Sequence, residues 1–134
     1  MKTIKLISVS VLLLGVVFLG FAQSNDVPPE IVSAIESGDA ARISSFLNNN
    51  VELVVENKND VYSKQQATSI ITDFFRNKRV TSFQVIHKGN KDASIFFIAN
   101  MRTNSGIFRV YVLTRRTGNQ NLIQQLRIEP SNDW

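Results

Sequence analysis

Side chains able to carry chemistry are few in this chain. Proton abstraction beside a carbonyl needs a carboxylate or histidine base, with hydrogen-bond donors where the oxyanion develops. From Val61 onward the acids are Asp73, Asp92, Glu129 and Asp133, and His87 is the one histidine of the whole sequence. Asp92 falls in a turn and Asp133 in the tail, which leaves Asp73, Glu129 and His87 as candidate bases. Asp73 stands between Ile70 and Phe74, one step off an apolar helical stripe, where a solvated position competes with a catalytic one. His87 shares a strand face with Phe83 and Val85, and no carboxylate is evident to orient it. Serines are plentiful, yet none occupies a nucleophile elbow, and no glycine-rich phosphate loop is present. With zero cysteines, a disulfide scaffold, a thiolate zinc site, an iron-sulfur ligand set and a cysteine nucleophile are all excluded. A single histidine leaves little for a metal triad, so no metal and no cofactor are expected.

Binding asks for less: a mostly apolar cleft with a few convergent polar groups. Arg109 and Tyr111 alternate with Ile107 and Leu113, and Gln124 interrupts Leu122, Leu126 and Ile128. If these faces line a cleft, Arg109 pairs with an anionic group while Tyr111 and Gln124 orient the ligand. The competing reading puts Arg109 and Arg115 on a solvent face or in a dimer interface. Arg102, Arg109, Arg115, Arg116 and Arg127 also interleave with aromatic residues, a pattern that nucleic-acid surfaces share. The small net charge and the export signal described next argue against nucleic acid.

The elements that must position these residues begin after residue 22. Lys2 and Lys5 precede an uncharged stretch centred on Val11 to Leu19, and Gly20 and Ala22 are small residues two apart, the layout of a signal peptide cut after Ala22. The expectation is an exported protein, periplasmic or secreted, with residues 1–22 as signal and 23–134 as one domain. The alternative is an uncleaved N-terminal membrane anchor, since Leu6 to Ala22 is 17 residues, the short edge of a bilayer span. Cleavage leaves 112 residues and lowers the net charge from +4 to +2. That small sum hides a division. Asp26 to Asp60 carries net −5 and Val61 to Trp134 carries net +7.

A helical front precedes a strand-rich back. Pro28 and Pro29 start a helix carrying Ile31, Val32, Ala34 and Ile35 inward, and Gly38 stops it. Asp39 caps a second short helix with Ile43, Phe46 and Leu47, ended by Asn48, Asn49 and Asn50. Val51 to Glu56 alternates as a half-buried strand, and Asn57 to Asp60 reads as a polar turn. Ser63 and Gln66 form a capping box before Ala67, Ile70, Ile71, Phe74 and Phe75, the spacing of an amphipathic helix. Four strands follow: Val80 to Lys88, Ala93 to Thr103, Ile107 to Arg116 and Leu122 to Glu129. Gly89-Asn90 is expected to make the first turn between them. The second strand is apolar throughout its centre, as a strand covered on both faces would be. The fold class is therefore α+β, a curved and mostly antiparallel sheet of about five strands packed on three helices.

This order of elements over Asp26 to Glu129 resembles the cone-shaped nuclear transport factor 2-like superfamily, which includes ketosteroid isomerases and polyketide cyclases. The front, from Asp26-Val27-Pro28-Pro29 through Gly38-Asp39-Ala40 to Ser45-Phe46-Leu47, with Tyr62-Ser63-Lys64-Gln65-Gln66-Ala67 after it, is similar to a family of small secreted bacterial domains of unknown function. The resemblance implies a cone able to hold an apolar ligand and a homodimer formed through the sheet. It also implies the alternative to a non-catalytic binding or interaction domain: an isomerase- or cyclase-type enzyme with His87 or a carboxylate such as Asp73 as base.

Overall fold

The computed structural model describes residues 26–132. The proposed signal, its cleavage point at Ala22, and the tail residues Asp133 and Trp134 lie outside the described residues. Three helices and six strands follow one another as α1 (Pro29–Glu36), α2 (Ala40–Ser45), β1 (Leu47–Val55), β2 (Lys58–Ser63), α3 (Lys64–Arg76), β3 (Val80–Lys91), β4 (Ser94–Thr103), β5 (Gly106–Thr117) and β6 (Gln120–Pro130). No helix among the described residues is long and apolar enough to cross a membrane.

Local chemistry sets the helix ends. Proline opens α1, where a backbone N–H would lack a partner in any case. Gly38, at φ +64°, closes it: its N–H donates to the Ile35 carbonyl, and the Asp39 N–H donates to that of Ala34. The Asp39 carboxylate then accepts from the Arg42 N–H at 3.1 Å, and the Ser63 hydroxyl accepts from the Gln66 N–H at 3.2 Å to cap α3.

The strands form one sheet in the order β2-β1-β6-β5-β4-β3, antiparallel throughout except for the parallel pair β1 and β6. Six strands replace the expected five because Lys58 to Ser63 pairs with β1 instead of forming a turn. Only Glu56 and Asn57 make that turn. The strand was hidden because it sits at the sheet edge, exposed from Lys58 to Val61, so burial imposes no alternation on its sequence. The three asparagines expected to end α2 likewise belong to β1, whose register with β6 is irregular between Leu47 and Glu52.

All three helices cover one face of the sheet. Phe97, Ala99 and Met101 of β4, Val110 and Val112 of β5, and Leu126 of β6 point into the helix layer and are 0 % exposed. Phe74 of α3 meets Phe108 of β5 edge to face, with ring centroids 5.1 Å apart. A water-sized cavity in the cone would expose its walls. Along these strands the cone is closed by side chains. Among the described residues no helix covers the opposite face of β4, where Phe96 and Ile98 are half-buried.

Bulges in β3 and β6 reset the faces at the candidate residues. Val85 pairs with Ala99 but His87 pairs with Ile98, so an irregularity around Ile86 turns His87 away from the face of Phe83 and Val85. In β6, Ile123 pairs with Thr114 and Gln125 with Leu113, which leaves Gln124 as the extra residue. Gly89-Asn90 is not the turn: both residues are in β3, and the chain reverses at Asp92, whose φ is +55°. Gly89 serves the ring opposite it, since a Cβ there would lie 2.4 Å from Cε1 of Phe96.

The start of the described chain is tied to β3 by an ion pair, Lys88 Nζ to Asp26 Oδ1 at 2.9 Å. The hydrogen bond from Lys88, the backbone N–H of Val27 and the lysine charge together hold the Asp26 carboxyl below its usual pKa. A carboxyl with a lowered folded pKa adds stability above its unfolded pKa and loses it as pH falls through the folded one. The stability difference between the parent protein and Asp26→Asn is therefore expected to shrink toward zero in urea titrations run from about pH 6 to about pH 3.

Candidate functional site

The outer face of β4, β5 and β6, opposite the helices, gathers the polar residues that can recognise a ligand. Strand alternation sends Arg109, Tyr111 and Leu113 outward because Val110, Val112 and Thr114 go in. Register then sets their neighbours. Arg109 lies opposite Glu129, and Tyr111 opposite Arg127, across the β5 and β6 pair. These side chains, with Gln125 and the chain end at Pro130 and Ser131, line an open groove of about 460 Å³. The chain end is held beside β5 by the Ser131 N–H, which donates to the Ile107 carbonyl at 2.9 Å.

Both arginines in the groove are held through Nε. Arg109 Nε donates to Oδ1 of Asn100 at 2.9 Å, and Asn100 is only 7 % exposed. Arg127 Nε donates to Oε1 of Glu129 at 2.8 Å. Tyr111 stacks on Phe96 across β4 and β5, with centroids 6.2 Å apart and planes inclined by 26°. The groove thus combines two guanidinium groups, one carboxylate and a ring already fixed by a neighbour. One positive charge remains in excess.

The structure brings Arg109 and Tyr111 together as the sequence implied, on the face that does not line the cone. Gln124 is not with them. Displaced by the β6 bulge, its Oε1 accepts from Asn48 Nδ2 at 3.2 Å, and Gln125 takes the place beside Leu113. Arg127, Gln125 and Asn100 were not evident in the sequence as groove partners. Their signal was the polar alternation Gln125, Arg127, Glu129, which reads as a solvent side until β5 is placed next to it.

None of the three candidate bases is enclosed. His87 is exposed on the outer face, in the row of Ile98 and Tyr111. Asp73 lies on α3, on the other side of the sheet, 65 % exposed and 3.0 Å from Arg76. Glu129 is engaged with Arg127. Among the described residues no group of three side chains is placed to hold a metal ion.

A family model described as Domain of unknown function (DUF4783) matches residues 28–129. The crystal structure of a family protein of that name from Bacteroides ovatus is 32 % identical with a TM-score of 0.76, covering 82 % of this chain and 100 % of that one. Another from Bacteroides fragilis is 33 % identical with a TM-score of 0.74, covering 79 % of this chain and 100 % of that one. A putative dehydratase of the NTF2-like family from Streptomyces avermitilis shares the fold at 14 % identity and a TM-score of 0.56, over 78 % of this chain and 91 % of its own. None of the curated proteins compared matches this chain.

Proposed function

The chain belongs to the DUF4783 family, a domain of unknown function with a nuclear transport factor 2-like fold, and from that premise we propose that it is an exported, non-catalytic binding domain of the cell envelope. Its working surface is the outer face of the sheet. The observation that carries this reading is the contrast between the two faces. The helix-covered side is closed, with Phe97, Ala99, Met101, Val110 and Val112 at 0 % exposure, while the outer side keeps Phe96, Ile98, Tyr111 and Leu113 only half-buried around an open groove. A domain that worked inside its cone would need space there. Export rests on the basic start, apolar stretch and small-residue pair of residues 1–22.

An isomerase-like reaction has less support. A base for proton abstraction works best where water is excluded, and His87 and Asp73 both stand in solvent.

The test uses a photo-crosslinking amino acid at Leu113, on the outer face, or at Thr72, on the solvent side of α3, in the cells that make the protein. The expected product lies in the envelope fraction, begins at Gln23, and forms a discrete adduct from Leu113 but not from Thr72. A second copy through the sheet would give a homodimer adduct and a small ligand an adduct of small mass, and either supports the outer face. Retention in the cytoplasm, or adducts from Thr72 alone, overturns the reading.

A further inference from the structure

We propose that the groove on the outer face receives the oxyanion group of a small ligand, a carboxylate or phosphate, between Arg109 and Arg127, with the flat apolar body of the ligand against Tyr111. This rests on the outer face being the binding surface, and it names what that surface takes.

A guanidinium has five donors in a planar fork. With Nε already committed, to Asn100 in one case and to Glu129 in the other, each group has its two terminal nitrogens left to present to the groove. That remaining edge matches the two oxygens of a carboxylate or phosphate. The Nε contacts also hold the forks in place, so less side-chain entropy is lost when an anion binds.

Strand register supplies the spacing. Arg109 faces Glu129 and Tyr111 faces Arg127, so the two arginines are diagonal neighbours. Diagonal positions stand about 7–8 Å apart, within reach of long side chains meeting over one anion. Tyr111 adjoins both, two residues from Arg109 along β5 and opposite Arg127, and its stacking on Phe96 fixes the ring plane that would receive an apolar body.

Charge and size then narrow the occupant. The outer rows of β4 to β6 carry Arg102, Arg109, Arg115 and Arg127 against the single acid Glu129. A second copy of this face would set that arginine-bearing surface against itself, at a like-charge cost. A groove of about 460 Å³ falls in the size range of small-ligand sites.

The test is a titration of the protein purified from its own cells, followed by NMR at the Arg109 and Arg127 Nε groups, with benzoate, phenyl phosphate and the neutral isostere benzamide as probes. Benzoate or phenyl phosphate is expected to bind with a dissociation constant on the order of 1 mM, a value fitting ligands of this size, and the tighter of the two identifies the group preferred. Benzamide should bind at least about tenfold more weakly, as expected when charge-assisted bonds are lost. Arg127→Lys keeps the charge but removes the fork, and Arg109→Gln removes both; each should weaken the anion by about tenfold or more. Arg115→Gln, outside the groove, should leave it unchanged. Should Arg109→Gln fail to fold because Asn100 loses its buried partner, Arg127→Lys carries the same test.

Equal binding of benzamide and benzoate overturns the proposal, as does indifference to both groove variants or the absence of binding by either anion. If that happens while Leu113 still crosslinks in cells, only the ligand class is wrong. If both experiments fail, the binding surface is wrong as well.

Discussion

Phe97→Ala is expected to unfold in urea with a stability about 3–5 kcal/mol below that of the parent, the cost of a large cavity in a packed interior. Phe97 is among the largest fully buried side chains and sits midway along β4 on the helix-covered face. Its replacement removes the ring where the cone of this fold would have to be empty to hold a ligand. A domain of this size is stable by roughly 5–15 kcal/mol, so the variant stays folded over most of that range and becomes marginal near its lower end. Phe97→Leu, which conserves most of the volume, should lose much less. A second measurement separates packing from other causes: benzene should raise the melting temperature of Phe97→Ala and leave the parent unchanged, because an apolar void stays dry and accepts an apolar guest. A loss under about 1 kcal/mol, below the usual range for such a change, or benzene stabilising the parent itself, would show that the cone holds space after all. The outer-face reading would then lose its main support.

The second large effect is expected at Gly38, the stop of α1. Its φ of +64° lies in the left-handed region, and a Cβ there would come 3.1 Å from Cδ1 of Phe75 on α3. Gly118, in the turn between β5 and β6, has the same φ of +64° but nothing within 4 Å of such a Cβ. Comparing the two alanine variants isolates the packing contribution. Gly118→Ala should cost about 1 kcal/mol, the strain of a left-handed L-residue. Gly38→Ala should cost about 2–3 kcal/mol, because the Phe75 ring must also shift. Phe75 is fixed edge to face on Phe74, at 5.0 Å, so its movement would propagate into the seat of α3 on the sheet. Equal losses at the two glycines, read from urea midpoints, would mean that the contact with Phe75 costs nothing.

Elements governed by neighbours close in sequence are legible in the residues alone. The proline start of α1, the Asp39 and Ser63 caps and the Gly38 stop are contacts within five residues, and each appears where the residue types place it. The α3 stripe is legible because one helix face is buried along its length: Ala67, Ile71 and Phe74 are 3 % exposed or less. Strand β2 is not, because an edge strand exposed along most of its length has no burial to write into its sequence. Gly89 misleads for a different reason. Glycine marks turns, yet here it makes room for Phe96, a residue that only strand pairing brings opposite it.

The candidate site divides along the same line. By itself the sequence determined that Arg109 and Tyr111 share a face, because alternation along one strand is a local property. It determined the α+β class, the order of most elements, and the lack of cysteine chemistry. Only the tertiary structure decided which face that was. Period-two alternation specifies sides relative to each other and never which side meets the helices, and a single extra residue reverses the assignment for everything beyond it. The bulges at Ile86 and Gln124 did this, sending His87 outward and replacing Gln124 by Gln125 beside Leu113. Pairing across strands likewise placed Arg127 opposite Tyr111 and Glu129 opposite Arg109, partners 16 and 20 residues apart in the chain, where no local rule connects them.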